Sequence, residues 1–553
     1  MLPNTPQWLE DAVFYEIYPQ SFQDTNNDGI GDLQGIIQRL DYIKELGANA
    51  LWINPCFDSP FKDAGYDVRD YKKIAPRYGT NKDAEELFEE AHKRGIRVLF
   101  DLVPGHTSEE HEWFVQSAKA EKTPYDNRFI WTSNAFEGSD MPFIGGESER
   151  DGAYIINFFK CQPALNYGFA ARDEQKPWQV STNSLAANAT KDAMVEIMEY
   201  WLAKGCDGFR VDMANSLVKK DDGHKSATIS AWQYMFNKVK QTYPEAVFVA
   251  EWGAPSESFE AGFDMDFYLD WHWEGDGNGY HQLTRLSSNA LSTNDDRSYF
   301  ASHSNTSIQA FLKDYLPQYQ SAVEYHAQFS LITCNHDTPR MAPRLNKAER
   351  AIALGMLLTM PGVPYIFYGD EIGMRYRDLP TVEGGYARTG SRSPMQWNNS
   401  INAGFTGEKV PADQLYIPID TAQDAPNVQS QIEDEHSQWH WVQSVLQLRH
   451  KITALQASSE FVVLSAPEQG RNFAYARLDN ENKNGVIVVL NPSLAQESVS
   501  INALLENLPQ DWRSQNLEQL NNAKLLEFGS VSTQGEQLNI GAQSFAVFSL
   551  QKL

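Results

Sequence analysis

Cysteine is scarce. Four occur in 553 residues, Cys56, Cys161, Cys206 and Cys334, widely spaced within apolar or strand-like stretches. That spacing offers neither a disulfide framework nor a CxxC metal pair, and it predicts free buried thiols in a reducing compartment. Positive charge is also in short supply. Lys and Arg number 46 against 73 Asp and Glu, a formal net charge of −27. So acidic a chain argues against nucleic acid and anionic membranes as partners, and it suits a neutral or cationic small substrate. The first residues lack a basic segment followed by an apolar one, and no apolar run is long enough to span a bilayer. The expectation is a soluble, cytoplasmic protein. Internal repeats and low-complexity tracts are missing too.

What is present is a strong alternation of helical and strand patterns. Hydrophobic residues make up 42% of the chain, enough for a sizeable core. Residues 12–18 read as a first strand. A helical pattern follows with Ile36, Leu40, Ile43 and Leu46, then Gly47 as a stop, then a strand at 50–53. The same order recurs with Ala84, Leu87, Phe88 and Ala91, Gly95, and a strand at 96–103. It recurs again with the helical spacing from Thr190, Gly205, and a strand running from Phe209 into Asp212. Segments 247–251, 263–269, 329–334 and 363–368 bring the expected strands to eight. Alternating helices and strands imply a parallel sheet, and eight such strands predict an α/β protein with a (β/α)8 barrel whose chemistry lies at the C-terminal strand ends.

Residues 104–178, rich in aromatic, Gly and polar residues, form a connection too long for a simple loop. Helix 435–452 follows the eighth strand. Short strands then succeed one another at 461–464, 473–477, 485–490, 497–501 and 544–550. The expected organisation is a barrel from 1–103 and 179–457, a subdomain inserted at 104–178 after strand three, and a C-terminal antiparallel β-sandwich at 458–553.

The run DTNNDGIGD at 24–32 carries oxygen side chains at alternate positions, with Gly29 permitting a tight turn. It resembles the first part of an EF-hand loop without the closing Glu. Two readings stand: a small divalent-cation site, or a polar turn in which Asp32 caps the following helix.

The strand ends carry the chemistry. Asp101 and His106 follow strand three, Arg210 and Asp212 end strand four, Glu251 ends strand five, and Asn335, His336 and Asp337 follow strand seven. A lone strand-end Asp is most often a cap or loop anchor. Four carboxylates at four ends of one barrel face one mouth. Apposed carboxylates beside Arg and His are the equipment for glycoside cleavage, where one attacks the anomeric carbon and another protonates the leaving oxygen.

The motifs DLVPGHTS at 101–108, GFRVDMA at 208–214, FVAEWG at 248–253 and NHD at 335–337 resemble those of the α-amylase superfamily of retaining glycoside hydrolases, family 13. GYDVRDY at 65–71 and RTGSRSPMQW at 388–397 place the resemblance in its oligo-1,6-glucosidase and α-glucosidase group, near the trehalose synthases. The resemblance implies that Asp212 is the nucleophile, Glu251 the general acid and base, and Asp337 the third carboxylate, holding sugar hydroxyls. It implies that Arg210 orients Asp212 and that His106 and His336 bond the sugar. Asp67 and Arg392 would grip a terminal glucose, Tyr66 would stack beneath it, and Arg388 would line the entrance. Asp24, Asn26, Asp28, Asp32 and the Ile30 carbonyl would hold one structural Ca2+ or Mg2+, with no organic cofactor.

Three positions depart from the pattern. Gly105 stands where the family has Asn before the His, Ala164 replaces Asp in the QPDLN motif of oligo-1,6-glucosidases, and Met213 replaces the Val, Thr or Ala that follows the nucleophile. The last two leave the linkage preference open. The resemblance therefore implies a retaining, exo-acting α-glucosidase on short oligosaccharides. An α-glucosyl transferase or isomerase of the trehalose synthase or sucrose isomerase type is the alternative. A non-catalytic interaction module ranks last, because the catalytic carboxylates are all present.

Overall fold

A computed structural model describes residues 5–268, 279–285, 296–382, 388–513 and 523–551. Eight short strands form one sheet, every neighbouring pair parallel: β1 (Phe14–Ile17), β2 (Ala50–Ile53), β3 (Arg97–Leu102), β4 (Gly208–Val211), β5 (Val247–Ala250), β6 (Met265–Phe267), β7 (Gln328–Ser330) and β8 (Tyr365–Phe367). Their spatial order is β7-β6-β5-β4-β3-β2-β1-β8. A parallel bridge from Ile332, just past β7, to Tyr365 in β8 closes the ring. This is the expected (β/α)8 barrel. The strands are shorter than their apolar runs, and the last residue expected in the sixth, Leu269, lies outside the described residues.

Runs such as Val-Phe-Val-Ala in β5 are buried throughout, as parallel strands covered on both faces must be. Between β4 and β5 the backbones approach so closely that a Cβ on Gly208 would lie 1.9 Å from the Val247 carbonyl oxygen. Only glycine fits there.

The helices start where side chains satisfy their first amides. Thr80 and Asp83 make a reciprocal capping box on Asn81–Lys93, and Asn346 and Glu349 make another on Lys347–Leu357. The helix before β4 begins at Leu185, earlier than the apolar spacing from Thr190 suggested, because Ser184 caps it through Ala187 N. The pattern after Asp32 is two helices, Leu33–Gln38 and Leu40–Leu46, which break at Arg39. There the guanidinium turns onto Gln23 and stacks 3.9 Å from the Trp397 ring.

Past β3 the chain leaves the barrel. Phe143–Gly145 and Ala153–Ile155 pair antiparallel, and isolated bridges join His106 to Ala164 and Phe129 to Leu165. This segment overhangs the C-terminal end of β3, one wall of the barrel mouth.

At the C-terminal end of the chain, a five-stranded antiparallel sheet (Glu460–Ser465, Phe473–Asp479, Asn484–Asn491, Ser544–Gln551, Lys524–Phe528) faces a three-stranded one (Glu497–Ser500, Gln537–Ile540, Val531–Gln534). Ile487, Val489 and Phe548 from the first share a core with Leu538 and Ile540 from the second. The strands within 524–540 were not expected, because each is short and mostly polar, with Val531, Leu538 and Ile540 alone fully buried. Conversely, the expected strand 497–501 ends at Ser500, whose side chain caps the short helix Ile501–Glu506. Among the described residues, no helix is long and apolar enough to cross a membrane.

Candidate active site

The barrel's inner layer is aromatic, and the polar groups of the mouth stand on it. Trp52 of β2 is buried, stacked on Phe267 at 5.4 Å and edge-on to Tyr365 at 6.1 Å. Its indole N–H donates to Asp101 Oδ2 at 3.0 Å. Arg210 lies above the same ring, Cζ to centroid 5.0 Å. Asp101 and Arg210 are register partners on β3 and β4, so the strand pairing itself brings carboxylate and guanidinium together.

Arg210 is the hub. Its Nη1 reaches Asp101 Oδ1 at 3.0 Å and Asp212 Oδ1 at 3.1 Å, and its Nη2 reaches Glu251 Oε1 at 2.7 Å. The Arg210 side chain is 1% exposed, whereas Asp212 and Glu251 keep 11% and 10% open to the mouth. A second contact fixes Glu251. Its Oε2 accepts from Met213 N at 2.9 Å, which is possible because Met213 sits in the left-handed region (φ 41, ψ 45). For a non-glycine residue that backbone is strained and held by its surroundings.

Three carboxylates on one guanidinium leave negative charge in excess. Burial, followed by the charge of Glu251, pushes the Asp212 carboxyl well above the ordinary range, and Arg210 only partly offsets this. Burial likewise pushes Asp101 up to about 6. Arg210 beside Asp212 does not outweigh burial and the charge of Glu251. A like charge beside a buried carboxyl disfavours its ionised form.

Asp337 sits in the opposite electrical environment. Burial would raise its pKa, but His336, Arg388 and Arg392 outweigh burial and hold it well below the carboxylate range. Arg388 Nη1 and Arg392 Nη2 reach its Oδ1 at 2.9 and 2.8 Å, and His336 Nε2 lies 3.3 Å from Oδ2. Its side chain is 34% exposed, so an ionised carboxylate faces the opening. Arg388 also pairs with Asp63, and Arg392 Nε donates to the His336 carbonyl at 2.7 Å.

Tyr66 joins the two groups. Its hydroxyl lies 2.6 Å from His336 Nε2 and 3.2 Å from Asp101 Oδ2, and its ring stacks on His336 with centroids 5.6 Å apart. His336 Nδ1 donates to Glu16 at 2.8 Å. Burial opposes protonation of His336, but Asp337 and Glu16 prevail and raise its pKa to about 9. His106 is the reverse case. Burial lowers it to about 3, and the nearby Lys219 adds to the shift. Its Nε2 donates to the Tyr66 carbonyl at 3.2 Å. Both imidazoles are buried with protein partners on both nitrogens. Asp67 is fully buried and faces the turn before it, accepting from Lys62 N and Asp63 N, both at 3.0 Å. Burial pushes its carboxyl to about 6.

Sequence reasoning passed over several members of this network. Glu16 lies in β1 and Trp52 in β2. Asn54, just beyond β2, donates to Glu16 at 3.1 Å. The strand-end rule applied to 12–18 and 50–53 points to Glu16 and Asn54; nothing local marks Asp63.

The 24–32 loop folds onto its own amides. Asp24 Oδ1 accepts from Asn26 N and Asn27 N at 3.0 and 2.8 Å, and its Oδ2 accepts from Gly29 N at 2.8 Å. Asp28 accepts from Ile30 N at 2.9 Å. Asp32 caps the helix Leu33–Gln38 and binds Thr25. The carboxylates are thus committed to the turn. Among the described residues, no group of three or more His, Cys, Asp or Glu is placed to hold a metal ion.

The alpha amylase catalytic-domain model matches residues 16–458, from within β1 to past β8, and includes every group just described. The chain belongs to the alpha-amylase family. Among curated relatives, an oligo-1,6-glucosidase of Parageobacillus thermoglucosidasius is 33% identical over 80% of this chain and 83% of its own. The trehalose synthase/amylase TreS of Mycolicibacterium smegmatis is 31% identical over 81% and 77%. Among solved structures, a variant of trehalulose synthase MutB with bound Tris superposes with a TM-score of 0.76 at 25% identity, covering 98% of this chain and all of that one. This alpha-amylase family member is a glycoside hydrolase of the glucosidase type.

Proposed function

We propose that this alpha-amylase family protein is a retaining, exo-acting α-glucosidase that acts on short α-glucosides. The observation that carries the reading is the sharing of Arg210 by Asp212 and Glu251 (3.1 and 2.7 Å). Retaining glycosidases need two carboxyl groups about 5 Å apart, one to attack and one to protonate. A single guanidinium touching both keeps them at that order of separation.

In this reading Glu251 is the acid and Asp212 the attacking carboxylate. In the first displacement the Asp212 oxygen bonds to the anomeric carbon as the bond to the leaving oxygen breaks, and Glu251 gives that oxygen its proton. In the second, Glu251 takes a proton from water as the water oxygen displaces Asp212. Two inversions return the α configuration. Asp337 is proposed to accept hydrogen bonds from sugar hydroxyls, a role supported by its low pKa and its exposure to the mouth. Asp67 and Arg392 are proposed to close the pocket around a terminal glucose, with Tyr66 beneath it and His106 and His336 at its edge. The 24–32 loop is proposed to seat one structural Ca2+ or Mg2+. Its oxygens would then exchange amide partners for the ion, and no catalytic step passes through it. A cytoplasmic location belongs to the same reading.

A second reading is favoured by the relatives named trehalose synthase and trehalulose synthase. In it, a sugar hydroxyl rather than water accepts the glucosyl group. Incubation with maltose, isomaltose, sucrose, trehalose and maltotetraose separates the two. Free glucose in proportion to substrate consumed supports hydrolysis. Early new disaccharides with little glucose overturn it in favour of transfer.

A further inference from the structure

Gly105 is where this chain departs from its family just before His106, and the space it leaves is not empty. A Cβ built on Gly105 would lie 2.7 Å from Asn157 Nδ2 and 3.1 Å from Ser216 Oγ. Asn157 comes from the segment that overhangs the mouth. Its amide Nδ2 lies 3.2 Å from His106 Nδ1 and 3.3 Å from Ser216 Oγ. Its Oδ1 accepts from Lys219 Nζ at 2.7 Å, and that ammonium also donates to the Ser216 carbonyl at 3.0 Å. Ser216 Oγ in turn donates to the Met213 carbonyl at 2.8 Å.

We propose that Asn157, reaching in from the inserted segment over Gly105, is a positioning residue that holds His106 in one tautomer at the sugar site. The directions of the hydrogen bonds compel this. The Tyr66 carbonyl can only accept, so His106 Nε2 carries the proton and Nδ1 must accept. Lys219 can only donate, so it fixes Asn157 with Oδ1 toward itself and the two amide hydrogens toward His106 and Ser216. One amide thereby ties the end of β3, the overhanging segment and the loop that follows Asp212. Glycine at 105 is required because any side chain there would enter the space of this amide.

The inference rests on the glucosidase reading only for the substrate of its assay. Asn157→Asp keeps the shape and the Lys219 contact but offers His106 an acceptor in place of a donor. Its expected effect is a rise in KM of about tenfold with kcat changed less than about threefold. Imidazole 15N spectra, with His106 assigned through His106→Gln, are expected to show Nδ1 protonated as well as Nε2, because the Tyr66 carbonyl still requires the proton on Nε2. Gly105→Asn alone is expected to lower kcat/KM similarly by evicting Asn157. Combined with Asn157→Ala it should cost less than the product of the two single effects, since both act on one space. An unchanged KM and unchanged His106 spectrum in Asn157→Asp, or fully multiplicative single effects, would overturn the proposal. Wild-type protein inactive on every α-glucoside would instead refute the glucosidase reading and leave the spectra to decide on Asn157.

Discussion

His336 and Glu16 form a buried ion pair, Nδ1 to Oε1 2.8 Å, between residues 320 positions apart. One follows β7 and the other lies in β1, so the contact exists only when the barrel is closed. His336 is completely buried, and its pKa is raised to about 9 by Asp337 and Glu16 against the opposing effect of burial. Folding therefore binds its proton more tightly than the unfolded chain, whose His titrates near 6.5. The resulting stabilisation, on the order of 3 kcal/mol, is fully present below pH ~6.5 and is lost as pH rises through about 9. Thermal unfolding of wild type and His336→Gln across pH 6 to 10 checks this, with a gap in Tm expected to narrow toward the alkaline end.

Removing the attacking oxygen is the most direct test of the carboxylate pair. Asp212→Asn is expected to lower turnover by at least about 10⁴-fold while the Tm stays within a few degrees. The first glucose released by wild type is expected as the α-anomer, read by NMR before mutarotation.

Arg210 touches Asp101, Asp212 and Glu251 at once. Lys presents a single point charge in place of the planar fork whose two nitrogens divide these carboxylates. Arg210→Lys is expected to lower kcat by about 10²-fold or more. Arg210→Met, which strands the buried carboxylates, is expected to cost about 3–5 kcal/mol of stability in urea unfolding.

The contact of β4 with β5 leaves no room beside Gly208. Gly208→Ala would bring a Cβ to 1.9 Å from the Val247 carbonyl oxygen, and separating the strands there would also displace Arg210. The expected outcome is a loss of about 3 kcal/mol or more, with activity falling further than the unfolded fraction explains.

Asp24 accepts three backbone amides, from Asn26, Asn27 and Gly29, so Asp24→Ala is expected to cost about 1–3 kcal/mol in metal-free buffer. If the loop also seats a cation, as proposed, millimolar Ca2+ or Mg2+ is expected to raise the Tm of wild type and not of the variant. A Tm indifferent to both ions and to chelation would leave the loop as a self-capped turn.

Much of this protein is set locally. The eight strands, the glycine stops between helix and strand, and the carboxylates at strand ends follow from apolar spacing and from the directionality of parallel strands. So does the aromatic and polar excess of the segment after β3. These features need only near neighbours, and the barrel closes much as its pattern of elements requires. The strands at 524–540 carry little apolar signal because each is short and mostly polar, with Val531, Leu538 and Ile540 alone fully buried.

The state of the site is decided in three dimensions. Arg210 stands two residues from Asp212, and the sequence suggests a simple pair; the tertiary structure adds burial, Asp101 and Glu251, which together push the Asp212 carboxyl up. Glu16 and Asp63 become part of the mouth through contacts with His336 and Arg388, hundreds of residues away. Asn157 reaches in over Gly105 from another segment. The physical reason is the same in each case. Hydrophobic periodicity is a property of consecutive residues, whereas the charge of a buried carboxyl or imidazole depends on every dipole and ion within a few ångströms, and folding alone selects which those are.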